Sequence, residues 1–385
     1  MHKEEQKQFL LHALGLNGPY WPASEAHDRV RRLAMVQIDS IRVTGLRNHE
    51  IAWAARTDAP IEGLYDLFYD KRGMIETHYP LFATRREWLP WFLKDFTKYI
   101  TRRTLHQELR PMMRQILRRI RDEGPVSPAD FDTERISGGF NTIKASTRAL
   151  EYLYFEGKVQ IAGRTKHFHR LFDLTEKVAP EAVKSPEDWR KIHPDFFARS
   201  ALEVLKLASR RQWQERLAHH WNPRGGMADA EKMLNKFIQN LPEDIAKVGE
   251  DSYAFKGDIV GWEKARKVWE HVRFLAPLDN LLYNRKRFSD FFGLNYKFEA
   301  YTPLKQRRFY YALLILYKSD IVGLIDPKKR GQEWHIDGIE LIRPVPMDAL
   351  RLAAQRFARL AGTNIITLNP NIDKAIRIAL KGPIA

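Results

Sequence analysis

The order of elements between Lys98 and Leu174 constrains the fold more than any other feature of this chain. Residues 98–121 carry an amphipathic helical pattern. Leu109, Met112, Met113, Ile116 and Ile120 fall on one face, the stripe a helix buries. Arg110, Arg114, Arg118 and Arg121 recur at intervals of 4, 4 and 3 and share another face, and Glu108 is the only acid from Lys98 to Arg121. Pro111 suits the first turn of a helix. After Gly124, "PVSPADF" predicts a turn with a short strand. "NTIKASTRALEYLYFEG" (141–157) predicts a second helix, with Leu150, Leu153 and Tyr154 inward, Lys144 and Arg148 outward, and Gly157 at its end. "KVQIAGRTKHFHRLFDL" (158–174) predicts a hairpin turning around Gly163, with Arg164, Lys166 and Arg170 at or near its tip. Helix, short strand, helix and basic hairpin is the order of a winged helix, whose last helix and wing meet nucleic acid.

The order recurs downstream. Residues 195–208 and 211–221 and "ADAEKMLNKFIQNLP" predict three helices, and "IAKVGEDSYAFKG" a strand–turn–strand. No strict sequence repeat accompanies this; only the element order is shared. Near the N-terminus, helices are expected at 3–14, at 48–56, at 61–71 and after Ser24, which is placed to cap one. "GMIETHYPLF" (73–82) reads as a strand or hairpin. "FYYALLILYKSDIVGLID" (309–326) predicts a hairpin around Ser319-Asp320, and "PMDALRLAAQRFARLAG" (346–362) a helix closed by Gly362. At 385 residues the chain exceeds one ordinary core. The expected organisation is α+β: winged-helix modules over 1–97, 98–180 and 181–270, then a β-rich, barrel-like module with a terminal helix over 271–385.

Charge and composition narrow the function. Lys and Arg number 64 against 48 Asp and Glu, a net of +16, which favours a polyanionic partner such as nucleic acid. The chain has no Cys, which excludes disulfides, thiol catalysis and Cys-based metal sites. No apolar run approaches the roughly 18 residues of a membrane span, and "MHKEEQKQFL" lacks the core of a signal peptide. A cytoplasmic, nucleoid-associated protein without membrane contact is expected. Phosphate-cradling glycine loops, HExxH and GxSxG are absent, and "HFH" (167–169) and "HHW" (219–221) are too short for metal sites. No metal or cofactor is expected.

One segment sets two polar side chains among apolar ones. In "VQIDSIRV" (36–43), Gln37 and Asp39 are two residues apart, so an extended chain points both to one side while Val36 and Ile38 anchor the other. By itself such a pair is more often a cap or a core hydrogen bond. The same ambiguity holds for Asp279 in "FLAPLDNLLYNRKR" (274–287).

Taken together, five stretches give the chain a close resemblance. They are "VQIDSIRV" followed by "RNHEIAWAAR" (47–56); "GMIETHYPLF"; "ALEYLYFEGKVQIAGRTKHFHRLFDLTEKVAP" (149–180); "FLAPLDNLLYNRKRFSDFFGLNYKFEAYTPLKQRRFYYALLIL" (274–316); and "IVGLID" (321–326). In order and spacing the chain resembles the YcaQ/AlkZ-type DNA glycosylases, bacterial winged-helix proteins that remove alkylated purines and unhook interstrand crosslinks. The resemblance implies tandem winged helices in a C-shaped arrangement, with double-stranded DNA in a basic channel and no metal or cofactor. It implies catalysis by Gln37 and Asp39, in the Gln-aliphatic-Asp branch concerned with crosslink repair. Arg47, His49, His78 and Asp279 are then expected to line the site. Arg110, Arg114, Arg118, Arg121, Lys144, Arg148, Arg164, Lys166, Arg307 and Arg308 are expected to meet DNA, with the protein working as a monomer. Two departures stand out: His78-Tyr79 where the family usually has His-Glu, and "GGFNTIKAS" in place of a tryptophan-rich run. A non-enzymatic winged-helix DNA-binding regulator is the competing expectation.

Overall fold

The computed structural model describes residues 1–77, 81–90, 103–137, 142–183, 189–221, 226–265 and 269–384. The chain forms two compact units, one of Met1–Leu64 with Pro194–Ala385 and one of Tyr65–His193. Both mix helices with strands, in keeping with the α+β class. Among the described residues no helix is long and apolar enough to cross a membrane.

Within Tyr65–His193, the amphipathic pattern yields the helix Arg110–Glu123, with Pro111 in its first turn and Gly124 at φ 94° after its last residue. Met113, Ile116 and Ile120 are buried in one core with Leu150 and Leu153 of the helix Ala145–Phe155 and with Phe172. The second helix starts later than its composition predicts. Thr142–Lys144 instead pairs antiparallel with Arg135–Ser137, as the β-branched Thr142 and Ile143 favour. The wing is Val159–Arg164 against Arg170–Leu174. Its reversal lies at 165–169, not at Gly163. The Thr165 carbonyl accepts from Phe168 N at 2.8 Å and its hydroxyl from His169 N at 3.1 Å, closing the turn there. The register shifts between Ile161 and Gly163, so the glycine marks a bulge in the strand. Val126 bridges Phe172 as a further edge of the wing. The stretch 73–82 contributes the strands Met74–Glu76 and Phe82–Arg85, which pair antiparallel.

In the other unit, the helices Arg210–Trp221 and Met227–Gln239 and the hairpin Ile245–Lys247/Ser252–Phe255 follow the predicted order, whereas the helix predicted over 195–208 ends at Leu205 and Leu207–Ser209 is a strand. Ser252–Phe255 lies centrally between the other two strands. A six-stranded sheet closes the chain: Val272–Leu275, Leu313–Tyr317, Asp320–Arg330, Glu333–Leu341, Ile365–Leu368 and Gly382–Pro383, in that order. Its one parallel pair, Glu333–Leu341 with Ile365–Leu368, is joined by the helix Met347–Leu360, with Gly362 at φ 67° just beyond its end. Phe274, Trp334 and Phe357 meet at ring-centroid distances of 5.2 to 6.0 Å in the core of this sheet.

The N-terminal segment is built onto that same core. Leu46, Ile51 and Ala54, the last two on the helix Asn48–Ala54, bury against Phe274, Tyr311 and Trp334. A fully buried ion pair reinforces the join. Arg56 donates to both carboxylate oxygens of Asp279 at 2.8 and 2.9 Å, and also to the carbonyls of Leu14 and Ala52. Every guanidinium nitrogen is thereby engaged, the condition under which a buried charge is tolerated. Ser24 does not cap its helix: Ala23–Arg31 begins one residue earlier, after Pro22, and has no side-chain cap.

Candidate active site

The strand Met35–Gln37 ends just before Asp39. Burial alternates along it: Val36 and Ile38 are buried, Gln37 and Asp39 half-buried. The two polar side chains therefore leave the core on the same side. Three asparagine and tyrosine side chains hold this backbone from beneath. Asn48 donates to the Gln37 carbonyl at 2.8 Å and accepts from Leu278 N at 3.0 Å. Asn280 donates to the Met35 carbonyl at 2.7 Å, and Tyr283 to the same oxygen at 3.4 Å. Arg216 lies 3.3 Å from Met35 Sδ with its guanidinium over the Tyr283 ring, and burial pushes its pKa down to about 10. None of these four was singled out from sequence. Asn48 and Asn280 each neighbour a residue that was, but their spacing carries no periodic signal.

Asp39 keeps one oxygen fixed. Oδ1 accepts from Ile41 N at 2.7 Å, an Asx-type turn that aims the carboxylate. Burial pushes the Asp39 carboxyl above the ordinary aspartate range, and the Ile41 bond pulls only partly against it. The result is a carboxylate more basic than a free one. The Gln37 side-chain amide, half-buried, makes no hydrogen bond among the described residues. Tyr311, fully buried, has its hydroxyl pushed well up by burial and then by the charge of Asp39.

Of the other residues expected at the site, three are engaged within the fold. Arg47 donates from Nη1 to Glu50 at 3.2 Å, and its backbone N donates to the same carboxylate at 2.6 Å, starting the helix Asn48–Ala54. His49 is buried. Asp279 is committed to Arg56 and to Leu281 N. His78 lies outside the described residues. Among the described residues there is no group of three or more His, Asp or Glu arranged to hold a metal ion.

The basic side chains divide into two groups. Arg110, Arg114, Arg118 and Arg121 are all exposed along the helix Arg110–Glu123, and Lys166 is exposed in the wing turn. Arg164, expected at the tip, turns inward instead. It pairs with the fully buried Glu76, which also accepts from Arg170 at 3.3 Å and Tyr69 at 2.7 Å. Burial pulls the Arg164 guanidinium down, but Glu76 outweighs it and the net shift is upward. Lys144 donates to the Phe131 carbonyl at 3.0 Å, and Arg148 pairs with Glu151 at 2.7 Å. Arg307 stacks at 4.9 Å over Tyr310, and Arg308, over Phe309, pairs with Glu340.

An exposed arginine face and a half-buried carboxylate fixed beside a glutamine are features that suit a protein acting on nucleic acid. The model of the family "DNA glycosylase AlkZ-like" matches residues 30–361, and the chain belongs to that family. Among solved structures, the Streptomyces sahachiroi DNA glycosylase AlkZ aligns over 96% of this chain and 100% of its own length. Its TM-score is 0.58 at 16% identity, a likeness of fold. The chain is a DNA glycosylase, and its substrate is DNA.

Proposed function

We propose that the chain is a monofunctional hydrolase of N7-alkylated purine nucleotides in duplex DNA, interstrand crosslinks included, and that it works as a monomer of the Gln-aliphatic-Asp kind. The observation that carries this is the state of Asp39: one oxygen held by Ile41 N, the group half-buried and its basicity raised. An N7-alkylated purine already bears positive charge and leaves readily with the C1′–N9 electron pair. The difficulty lies in the sugar, which becomes oxocarbenium-like, and in delivering water to C1′. A carboxylate about 4 Å from that cation, at an effective dielectric near 20, attracts it by about 4 kcal/mol. That is roughly three decades in rate if felt only in the transition state. Asp39 then takes the proton of the attacking water, and Gln37 orients that water through its side-chain amide. No lysine accompanies the motif, so the product is an abasic site with the strand intact. The exposed arginines of Arg110–Glu123 and Lys166 supply phosphate contacts.

One incubation tests this substrate assignment. The protein is incubated with duplex containing 7-methylguanine, treated with alkali and resolved on a gel. Cleavage at the lesion only after alkali supports the proposal. An unbroken strand overturns N7-alkylguanine as the substrate.

A further inference from the structure

Between the helix Arg285–Phe292 and the strand Leu313–Tyr317 the chain runs for some twenty residues with a single 3-10 turn, Leu304–Gln306. A connection this long in a compact fold is usually functional. It is also braced. Tyr296 donates to the Ala312 carbonyl at 2.7 Å, and Glu299 accepts from Arg308 N and Phe309 N at 2.8 and 3.2 Å. The buried carboxylate of Asp326 accepts from Tyr310 N and Tyr311 N at 3.0 and 2.9 Å. At its crest this rigid loop presents Tyr301, 83% exposed, and Leu304, 77% exposed, the two most exposed large apolar side chains among the described residues. Their loop neighbours Lys297, Lys305, Arg307 and Arg308 are cationic.

Tyr301 is not adrift. Its ring meets Phe298 edge-on at 6.0 Å, and Phe298 meets the buried Tyr311 edge-on at 5.5 Å. The loop adjoins the segment that follows Asp39. Val43 lines one open cavity of about 460 Å³ with Leu304, Arg307 and Tyr310, and Ile41 packs on the same core as Phe298 and Tyr310. The Tyr301 hydroxyl, although the residue is largely exposed, has its pKa raised by partial desolvation and then by the charge of Asp39.

We propose that Tyr301, with Leu304 beside it, is a wedge that stacks against a nucleobase next to the damaged nucleotide while Asp39 faces its sugar. The inference rests on the glycosylase reading above and adds the element that opens the duplex. For a carboxylate to reach C1′, the damaged nucleotide must leave the stack at least in part, and the gap costs stacking. A preformed ring on a cationic loop offsets that loss, as apolar wedges do in proteins that unstack DNA. Aromatic stacking on a base is worth roughly tenfold to a hundredfold in affinity.

The test uses a duplex with one tetrahydrofuran abasic residue beside 2-aminopurine, so it reads without any excision. The wild-type chain and Tyr301→Phe quench the 2-aminopurine and prefer this duplex to an intact one. Tyr301→Ala, its melting temperature unchanged because the side chain is exposed, loses the quenching and about tenfold or more of the preference while binding intact duplex as before. If Tyr301→Ala quenches and discriminates like wild type, the wedge is wrong. It is equally wrong if the wild-type chain does neither while still excising 7-methylguanine, an outcome that leaves the glycosylase reading intact.

Discussion

At the scale of single residues, the decisive feature is how Asp39 is held. The alternation Val36, Gln37, Ile38, Asp39 was legible, because strand periodicity needs only the next two residues and buried aliphatic neighbours enforce it. The Ile41 hydrogen bond, the carbonyl contacts of Asn48 and Asn280, and the exposure of Tyr301 were not, since the first two depend on local chain reversals, the Asn280 contact on a partner 245 positions away, and the exposure on the packing of the whole loop. The raised Asp39 pKa has two consequences of opposite value. Excision kcat/KM falls on the acid side as the carboxylate is protonated, with a midpoint above the usual aspartate range; a pH profile flat down to that range removes Asp39 from the rate-limiting chemistry. Stability runs the other way. The fold binds this proton more tightly than the unfolded chain does, so stability is lost as pH rises from the unfolded pKa through the folded one. At neutral pH Asp39→Asn should therefore melt at or above the wild-type temperature, and a marked drop in Tm would assign the carboxylate a structural duty.

At the scale of elements, the helix Arg110–Glu123 was the clearest sequence signal and folds as the pattern dictates. The wing was legible as a hairpin, but its turn was not, because Thr165 closes the reversal and Gly163 only makes a bulge. Nor does any local pattern reveal that Arg164 pairs with Glu76, 88 residues away. These placements separate cations that brace the fold from those left exposed. Arg114→Ala with Arg118→Ala should weaken duplex binding about equally for all sequences and flatten the salt slope by about one unit per arginine. Titrations at several salt concentrations check this, and an unchanged slope would mean the face is merely solvated.

At the scale of the whole molecule, the β-rich C-terminal character and the order of elements could be read from residue types. The union of residues 1–64 with 194–385 could not, because it is fixed by a buried pair separated by 223 positions. Asp279→Ala should strand the Arg56 charge in the core and cost about 3–5 kcal/mol, visible as a lowered denaturant midpoint; a loss under about 1 kcal/mol would mean the join rests on packing alone. That pair stabilises the scaffold on which Gln37 and Asp39 stand, and the chemistry assigned to them is the claim on which the account depends. Single-turnover excision of 7-methylguanine from duplex by the wild-type chain and by Asp39→Asn tests it most directly. The prediction is a loss of at least about a hundredfold with duplex affinity unchanged; excision at the wild-type rate by the amide variant would contradict it.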